Sequence, residues 1–166
     1  LIKNFNTGGY FCRSVVYSQD ETVLLSGGND NLVKLWNSTS GELIRTFTGH
    51  TGHVGSVCFN LDESQIFSGS YEDGTVKIWD KNSGQLIKSI SRDAGIVSIL
   101  LRNDGDAIVA SSDGKILIMT PDGQPVQEFG HSAQQLSIDF SSTEDMIASY
   151  SSNIQLYKKI GHWEKY

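Results

Sequence analysis

The strongest constraint on this chain is that it repeats itself about every forty residues. The segments NLVKLWN (ending at Asn37), GTVKIWD (ending at Asp80), GKILIMT (ending at Thr120) and SNIQLYK (ending at Lys158) are copies of one pattern. Their large residues Trp36, Trp79, Met119 and Tyr157 stand 43, 40 and 38 residues apart. A unit of that length is a single supersecondary element that cannot bury its apolar surface alone. Stacked neighbours must supply the core, so the repeat itself dictates the fold.

Within the second unit, Thr48-Gly49-His50 precedes a strand expected over Val54–Phe59, and strands over Gln65–Ser70, Thr75–Asp80 and Gln85–Ile90 follow. Each run is rich in Val, Ile and aromatic residues, and each gap carries turn residues such as Glu72-Asp73-Gly74 and Asn82-Ser83-Gly84. Four antiparallel strands per unit is the economical reading. The first unit gives Phe11–Tyr17, Thr22–Gly27, Asn31–Asn37 and Glu42–Phe47. The third gives Ile96–Leu101, Ala107–Ser111, Lys115–Met119 and Gln124–Phe129. The fourth gives Gln135–Phe140, Met146–Tyr150, Ile154–Lys158 and His162–Tyr166. No segment sustains a 3.6-residue apolar period, so no helix is expected. Runs such as VKLW and VKIW are apolar on both faces, as a small sheet sandwiched between neighbouring sheets requires. Leu1–Phe5 aligns with Leu43–Phe47 and with Leu86–Ile90, the last strands of their units. The expected division is therefore 1–5 as the outer strand of a preceding unit, then 10–47, 48–90, 91–129 and 130–166. Five outer strands for four inner sets, in a chain that opens on Leu1, suggest a piece of a longer array or a ring completed by another chain.

Charge and composition exclude several functions. Thirteen basic against nineteen acidic residues give a net charge of −6, and the basic residues are scattered apart from Lys158, Lys159 and Lys165. An acidic chain without a basic patch does not attract nucleic acid. No apolar run is long enough to cross a bilayer and no leader pattern opens the chain, so no membrane contact is expected. Cys12 and Cys58 fall inside expected strands and read as small buried hydrophobes rather than a disulfide or metal ligands. An intracellular, cytoplasmic setting fits, and the nucleus is not excluded.

Nor does the pattern point to chemistry. Serines inside strands lack the sharp exposed turn that a nucleophile needs. Asp104-Gly105-Asp106 and Asp113-Gly114 fall where hairpins must turn and lack the further ligands of a calcium loop. His50 and His53 have no third zinc ligand nearby. The glycines at Ser26-Gly27-Gly28 precede no helix that could hold a phosphate. The expectation is a non-enzyme with no metal and no cofactor.

The landmarks Gly49-His50, Ser68, Asp73 and Trp79-Asp80 resemble the WD-repeat family of β-propellers, in family order. The first unit keeps Ser26, Asp30 and Trp36-Asn37 but has Gly8 in the histidine place. The third keeps Ser111 and Asp113, with Arg92 for the histidine and Met119 for the tryptophan. The fourth keeps Gly130-His131 and Ser149, with Ser151 for the aspartate and Tyr157 for the tryptophan. The resemblance implies an all-β fold of four contiguous four-stranded antiparallel blades, part of a larger ring of seven or eight. It further implies that Ser26, Asp30, Trp36, His50, Ser68, Asp73 and Trp79 form hydrogen-bonded networks inside their blades. Its functional implication is a non-catalytic scaffold or adaptor for protein or peptide partners. The alternative is the sensing repeat region of a larger signalling ATPase. In the family, partners dock on loops that enter the first strand and loops that follow the second. Here those positions are Phe11, His53, Gly95 and Gln134, with Asn29, Tyr71, Glu72 and Ser112 beside them. Tyr71 and Glu72, in the longer turn, are expected to protrude most.

Overall fold

The computed structural model describes residues 4–130, 137–141, 146–150, 154–160 and 162–165. Among these residues every regular element is a strand. The first sheet holds β1 (Cys12–Tyr17), β2 (Val23–Gly28), β3 (Val33–Asn37) and β4 (Leu43–Phe47). The second holds β5 (Val54–Phe59), β6 (Gln65–Ser70), β7 (Thr75–Asp80) and β8 (Leu86–Ser91). The third holds β9 (Ile96–Leu101), β10 (Ala107–Ser111), β11 (Lys115–Met119) and β12 (Pro125–Gly130). The fourth holds β13 (Ser137–Phe140), β14 (Met146–Tyr150), β15 (Ile154–Ile160) and β16 (His162–Lys165). In each sheet the strands pair antiparallel in chain order, which makes four consecutive meanders.

Strand ends differ from the sequence reading by a residue or two because side chains close the turns. Asp30 Oδ1 accepts the Leu32 amide at 3.2 Å, so β3 begins at Val33 rather than Asn31. Asp20, Asp62 and Asp104 each accept the amide two residues on, at 3.0, 2.9 and 3.2 Å. These are Asx turns, which pull the chain round between first and second strands. In the third sheet the turn needs a left-handed residue, which Gly105 supplies at φ 93°. Arg102 closes the same turn from inside, with Nη1 2.8 Å from Asp104 Oδ2. Asp104 and Asp106 are therefore parts of a hairpin, and the cation beside them is the chain's own arginine.

Neighbouring sheets stack face to face, and the core lies between them. Leu25, Val33, Leu35 and Phe47 of the first sheet meet Val54, Val57, Phe59, Ile66 and Trp79 of the second. Phe67, Val76 and Ile78 then meet Ile96, Ile99, Val109 and Met119 of the third. Ile108, Ile116 and Ile118 meet Ile138, Ile147 and Tyr157 of the fourth. Glycine sets the approach: a Cβ on Gly27 would lie 2.6 Å from Val54 Cγ1, and one on Gly69 would lie 2.4 Å from Ile96 Cγ2. The first strand of each of the first three sheets carries a bulge, at Cys12/Ser14, at Val54/Ser56 and opposite Ala110/Ser111. In the first two sheets the bulge precedes a serine that reaches across to the next sheet. The Val57 amide donates to Ser14 Oγ at 3.2 Å, and the Ile99 amide to Ser56 Oγ at 2.9 Å. At the rim, Arg45 Nη1 donates to the Ser83 carbonyl and Lys88 Nζ to the Asp122 carbonyl, one sheet further on.

The ring is open. Phe5 packs edge-on against Trp36 with centroids 6.0 Å apart, as Phe47 does against Trp79 at 5.9 Å. Among the described residues no sheet covers the face of β1 turned away from β5, and this corrects the reading of Cys12. Cys12 is exposed, while Cys58, at the inner face of the second sheet, has its thiol pushed by burial to about 12.

Candidate interaction face and its supporting network

In the second sheet a chain of hydrogen bonds ties three elements together. Trp79 Nε1–H donates to Ser68 Oγ at 2.8 Å, and Ser68 Oγ lies 2.8 Å from His50 Nε2. His50 Nδ1 lies 2.7 Å from Asp73 Oδ2, which also accepts the Thr51 amide at 3.0 Å. The other Asp73 oxygen accepts the Thr75 amide and hydroxyl, at 2.9 and 2.8 Å. One proton arrangement satisfies every member: Nδ1 of a neutral His50 donates to Asp73, and Nε2 accepts from Ser68. Electrostatics agree with it. Burial holds the His50 pKa below its ordinary value, against the pull of Asp73. Burial opposes ionisation of Asp73 too, but donors from Thr75, His50 and Thr51 hold its pKa at about 2.

Strand register shows how the other sheets fill the same space. In the first, Trp36 Nε1–H donates to Ser26 Oγ at 2.8 Å. Gly8 brings no imidazole, and the cation beside Asp30 is Lys34, whose Nζ sits 2.5 Å from Asp30 Oδ2 and 3.2 Å from the Thr7 carbonyl. In the third, pairing of Ala110 with Ile116 and of Val109 with Leu117 puts Val109, not Ser111, at the place of Ser68. Ser111 corresponds to Ser70, which corrects the reading that this serine was retained in the network. Valine thus takes the serine's place and methionine the tryptophan's, and both polar partners are absent together. Arg92, in the histidine place, turns instead to Glu128, with Nη2 2.5 Å from Oε2. Burial works against the Glu128 charge, but Arg92 and Lys115 hold its pKa below the usual value. Asp113 caps the Lys115 amide at 3.2 Å. In the fourth, Ser149 and Tyr157 do occupy the Ser68 and Trp79 registers, and Tyr157 Oη donates to Gln155 Oε1 at 3.2 Å. His131 and Ser151 lie outside the described residues.

These networks stand behind one end of the sheets, where first strands begin and second strands finish. The Asn29 amide donates to the Phe11 carbonyl at 2.9 Å, and the Ser112 amide to the Gly95 carbonyl at 2.8 Å. His53 Nδ1 lies 2.8 Å from Glu72 Oε1. The Tyr71 ring and carbonyl press on Gly95, where a Cβ would meet them at 2.9 and 2.4 Å. Phe11, Asn29, His53, Tyr71 and Glu72 are thus carried by paired loops at the same end of successive sheets, and Gln134 lies outside the described residues. Phe11 is 80% exposed against 48% for Tyr71, so Phe11 and not Tyr71 stands out furthest. The reason is the uncovered flank of β1, whereas Tyr71 leans on the next sheet. Two residues of this face escaped the sequence reading. Tyr10 is exposed beside Phe11, and Arg13, the bulge residue, donates from Nε to Asn29 Oδ1. An aromatic pair just before a strand was the available signal for Tyr10; none marked Arg13. Among the described residues no group of three or more His, Cys, Asp or Glu side chains could hold a metal ion.

The WD domain, G-beta repeat, matches this chain over residues 2–37 and 41–80. A U3 snoRNP-associated protein-like protein of Arabidopsis thaliana is 41% identical over 59 residues, covering 36% of this chain and 12% of that protein. Periodic tryptophan protein 2 of the same plant is 41% identical over 66 residues, 39% of this chain and 7% of the relative. Eukaryotic translation initiation factor 3 subunit I of Xenopus tropicalis is 36% identical over 56 residues, 34% of this chain and 17% of the relative. The chain therefore spans only a small part of the curated relatives it matches. The matched repeats lie on the first two of four stacked antiparallel sheets, so residues 2–37 and 41–80 carry WD repeats and the other two sheets repeat the same four-stranded meander.

Proposed function

We propose that this chain is a protein–protein interaction scaffold whose docking face is the loop end carrying Tyr10, Phe11, Asn29, His53, Tyr71 and Glu72. The observation that carries the reading is the exposed Tyr10-Phe11 pair, held by the Asn29 amide on a rigid strand start. Exposed aromatic side chains on loops fixed by a scaffold are the usual anchors of protein recognition. The networks are internal supports: they keep adjacent loops in register so that several sheets present one surface. Residues 10–47, 48–90, 91–129 and 130–166 are the four blades in this reading; of the expected outer strand 1–5, residues 1–3 lie outside the described residues, and Asn4 and Phe5 are not in a strand. Relatives named as a translation initiation factor subunit and as a GID complex subunit support work inside multi-subunit intracellular assemblies.

The test is site-specific photo-crosslinking from within the cell that makes the protein. A benzophenone side chain at position 11 or 71 is expected to capture discrete proteins, and one at the rim position Ile44 is not. The double variant Phe11→Ser, Tyr71→Ser should abolish capture by a probe at position 10 while melting as the parent does. Equal adducts from rim and loop positions, or capture unchanged in the double variant, would remove the face from the proposal.

A further inference from the structure

A carboxylate recurs at one place of the loop end with a nitrogen donor on it, and in the third sheet that donor is missing. Asp30, Asp73 and Asp113 each stand four residues before the strand position that pairs with Ser26, Ser68 or Val109. All three use Oδ1 to accept the amide two residues on, from Leu32, Thr75 and Lys115, at 3.2, 2.9 and 3.2 Å. They differ at Oδ2. Asp30 Oδ2 accepts from the Lys34 ammonium at 2.5 Å, and Asp73 Oδ2 from the His50 imidazole at 2.7 Å. Asp113 Oδ2 has Lys115 Nζ at 3.8 Å, outside hydrogen-bond reach. Neither internal donor serves it: Leu117 stands where Lys34 does, and Arg92, in the histidine place, is turned to Glu128.

The histidine place is here an open cleft of about 240 Å³, lined by Ser91, Arg92, Asp93, Asp113, Lys115 and Glu128. It is smaller than the roughly 300 Å³ at which small-molecule pockets begin, and so suits a single side chain. Arg92 and Lys115 do not make it an anion site, because both already lie on Glu128. Two carboxylates remain. Asp113 is open at Oδ2, and Asp93 is exposed, its side chain without a hydrogen bond or ion pair among the described residues. The walls come from the end of β8, the loop after it and the third sheet, so the cleft does not depend on what packs on the flanks of the arc. It adjoins the docking face, since the Tyr71 ring lies on Gly95 at the end of the same loop.

We infer that this cleft receives a basic side chain, a lysine ammonium or an arginine guanidinium, from the protein docked on the loop end. The entering nitrogen donates to Asp113 Oδ2 as the Lys34 ammonium donates to Asp30, and Asp93 supplies a second carboxylate. A charged donor and a carboxylate make one of the stronger hydrogen bonds, and here the acceptor is already held by the turn that its other oxygen caps. This role for the cleft rests on the scaffold reading of the loop end and adds to it the chemistry of the partner.

The experiment is an NMR titration of the full chain with a capped glycine-lysine-glycine peptide to millimolar concentration, against the same peptide with glutamate for lysine. The lysine peptide should shift the amides of Asp93, Asp113 and Lys115 saturably, and the glutamate peptide should not. Asp113→Asn keeps an oxygen for the Lys115 amide and should melt as the parent does, yet it should weaken the peptide about tenfold. Arg92→His separates filling from mere attraction. It removes a positive charge, so attraction alone would tighten binding, whereas an imidazole returned to the histidine place should close the cleft and abolish it. Tighter binding to Arg92→His, equal binding to Asp113→Asn, or preference for the glutamate peptide would overturn the inference. So would shifts centred on the hairpin residues Asp62 and Asp80, or no shift at all. Photo-crosslinks from positions 11 and 71 report on the docking face separately. Crosslinks without peptide shifts would sink the cleft and keep the scaffold reading; peptide shifts without crosslinks would sink the docking face and keep the cation site.

Discussion

Removing the hydroxyl of Ser68 isolates the energetic weight of the second-sheet network. Ser68 is fully buried, and its Oγ serves two partners, Trp79 Nε1 and His50 Nε2, both at 2.8 Å. Ser68→Ala creates little empty volume but leaves an indole donor and an imidazole acceptor unpaired away from water. Each stranded group costs about 1–3 kcal/mol, so the pair costs about 4 kcal/mol. Ser26 is the internal control: it occupies the same register one sheet earlier, but its Oγ serves Trp36 Nε1. Ser26→Ala strands one group, at about 2 kcal/mol. For a chain of this length each kcal/mol moves the melting temperature by about 2–4 °C. Ser68→Ala should therefore melt about 8–16 °C below the parent and Ser26→Ala about 4–8 °C below it. Thermal melts followed by circular dichroism, with urea titrations to check the order, decide the matter. If Ser68→Ala melted within a degree of the parent, or if Ser26→Ala cost more, the reasoning from stranded polar groups would be wrong.

Three further outcomes follow from the same packing. Gly69→Ala sets a methyl 2.4 Å from Ile96 Cγ2 and should destabilise by about 1–3 kcal/mol in urea, with partial recovery, against the sum of the single variants, in the double variant Gly69→Ala, Ile96→Ala, which removes that Cγ2. A recovery of nothing would mean the sheets do not meet there. Burial holds His50 below its ordinary pKa of 6.5, so the unfolded chain binds a proton that the folded chain refuses. Stability should be full above that value and fall as pH drops below it, and His50→Gln should flatten this slope in urea midpoints between pH 7.5 and 5. Asp73 adds its own loss further down, between 3.8 and about 2. A thiol reagent should label Cys12 in the native protein within minutes and leave Cys58 unmodified until unfolding, which mass spectrometry of the digest would reveal.

The period and the turn residues made the four sheets legible, because both are local in sequence: a hairpin needs Asp62 or Gly105 at the bend whatever surrounds it. The complete network in the second sheet was legible for a similar reason, since His50, Ser68, Asp73 and Trp79 each carry a polar group that demands a partner. What escaped the sequence depends on neighbours. The serine at position 111 sits two residues beyond the place of Ser68, and only the pairing of β10 with β11 reveals the offset. Cys12 and Cys58 occupy similar strands, yet one flank is covered and the other is not. Turn length favours Tyr71 as the most protruding residue, but turn length says nothing about the ring folding down onto Gly95.

The third sheet shows why a decayed landmark need not mean a weakened blade. Losing one member of a buried polar chain strands its partners, but replacing facing members by apolar groups of fitting shape can be nearly neutral. Val109 and Met119 make that joint exchange at the places of Ser68 and Trp79, and both are fully buried in the core against the second sheet. The place left by histidine is not left empty either: Arg92 crosses to Glu128, and Lys115 lies 3.4 Å from the other Glu128 oxygen. This pair is partly solvated, so it adds little to stability compared with a buried network. Its effect is positional, since it joins the loop before β9 to the outer strand β12. The second sheet therefore holds its loop end through buried hydrogen bonds and the third through packing plus a rim ion pair. High salt should loosen the loop end of the third sheet and leave that of the second unchanged, because screening reaches exposed charges and not the His50–Asp73 contact.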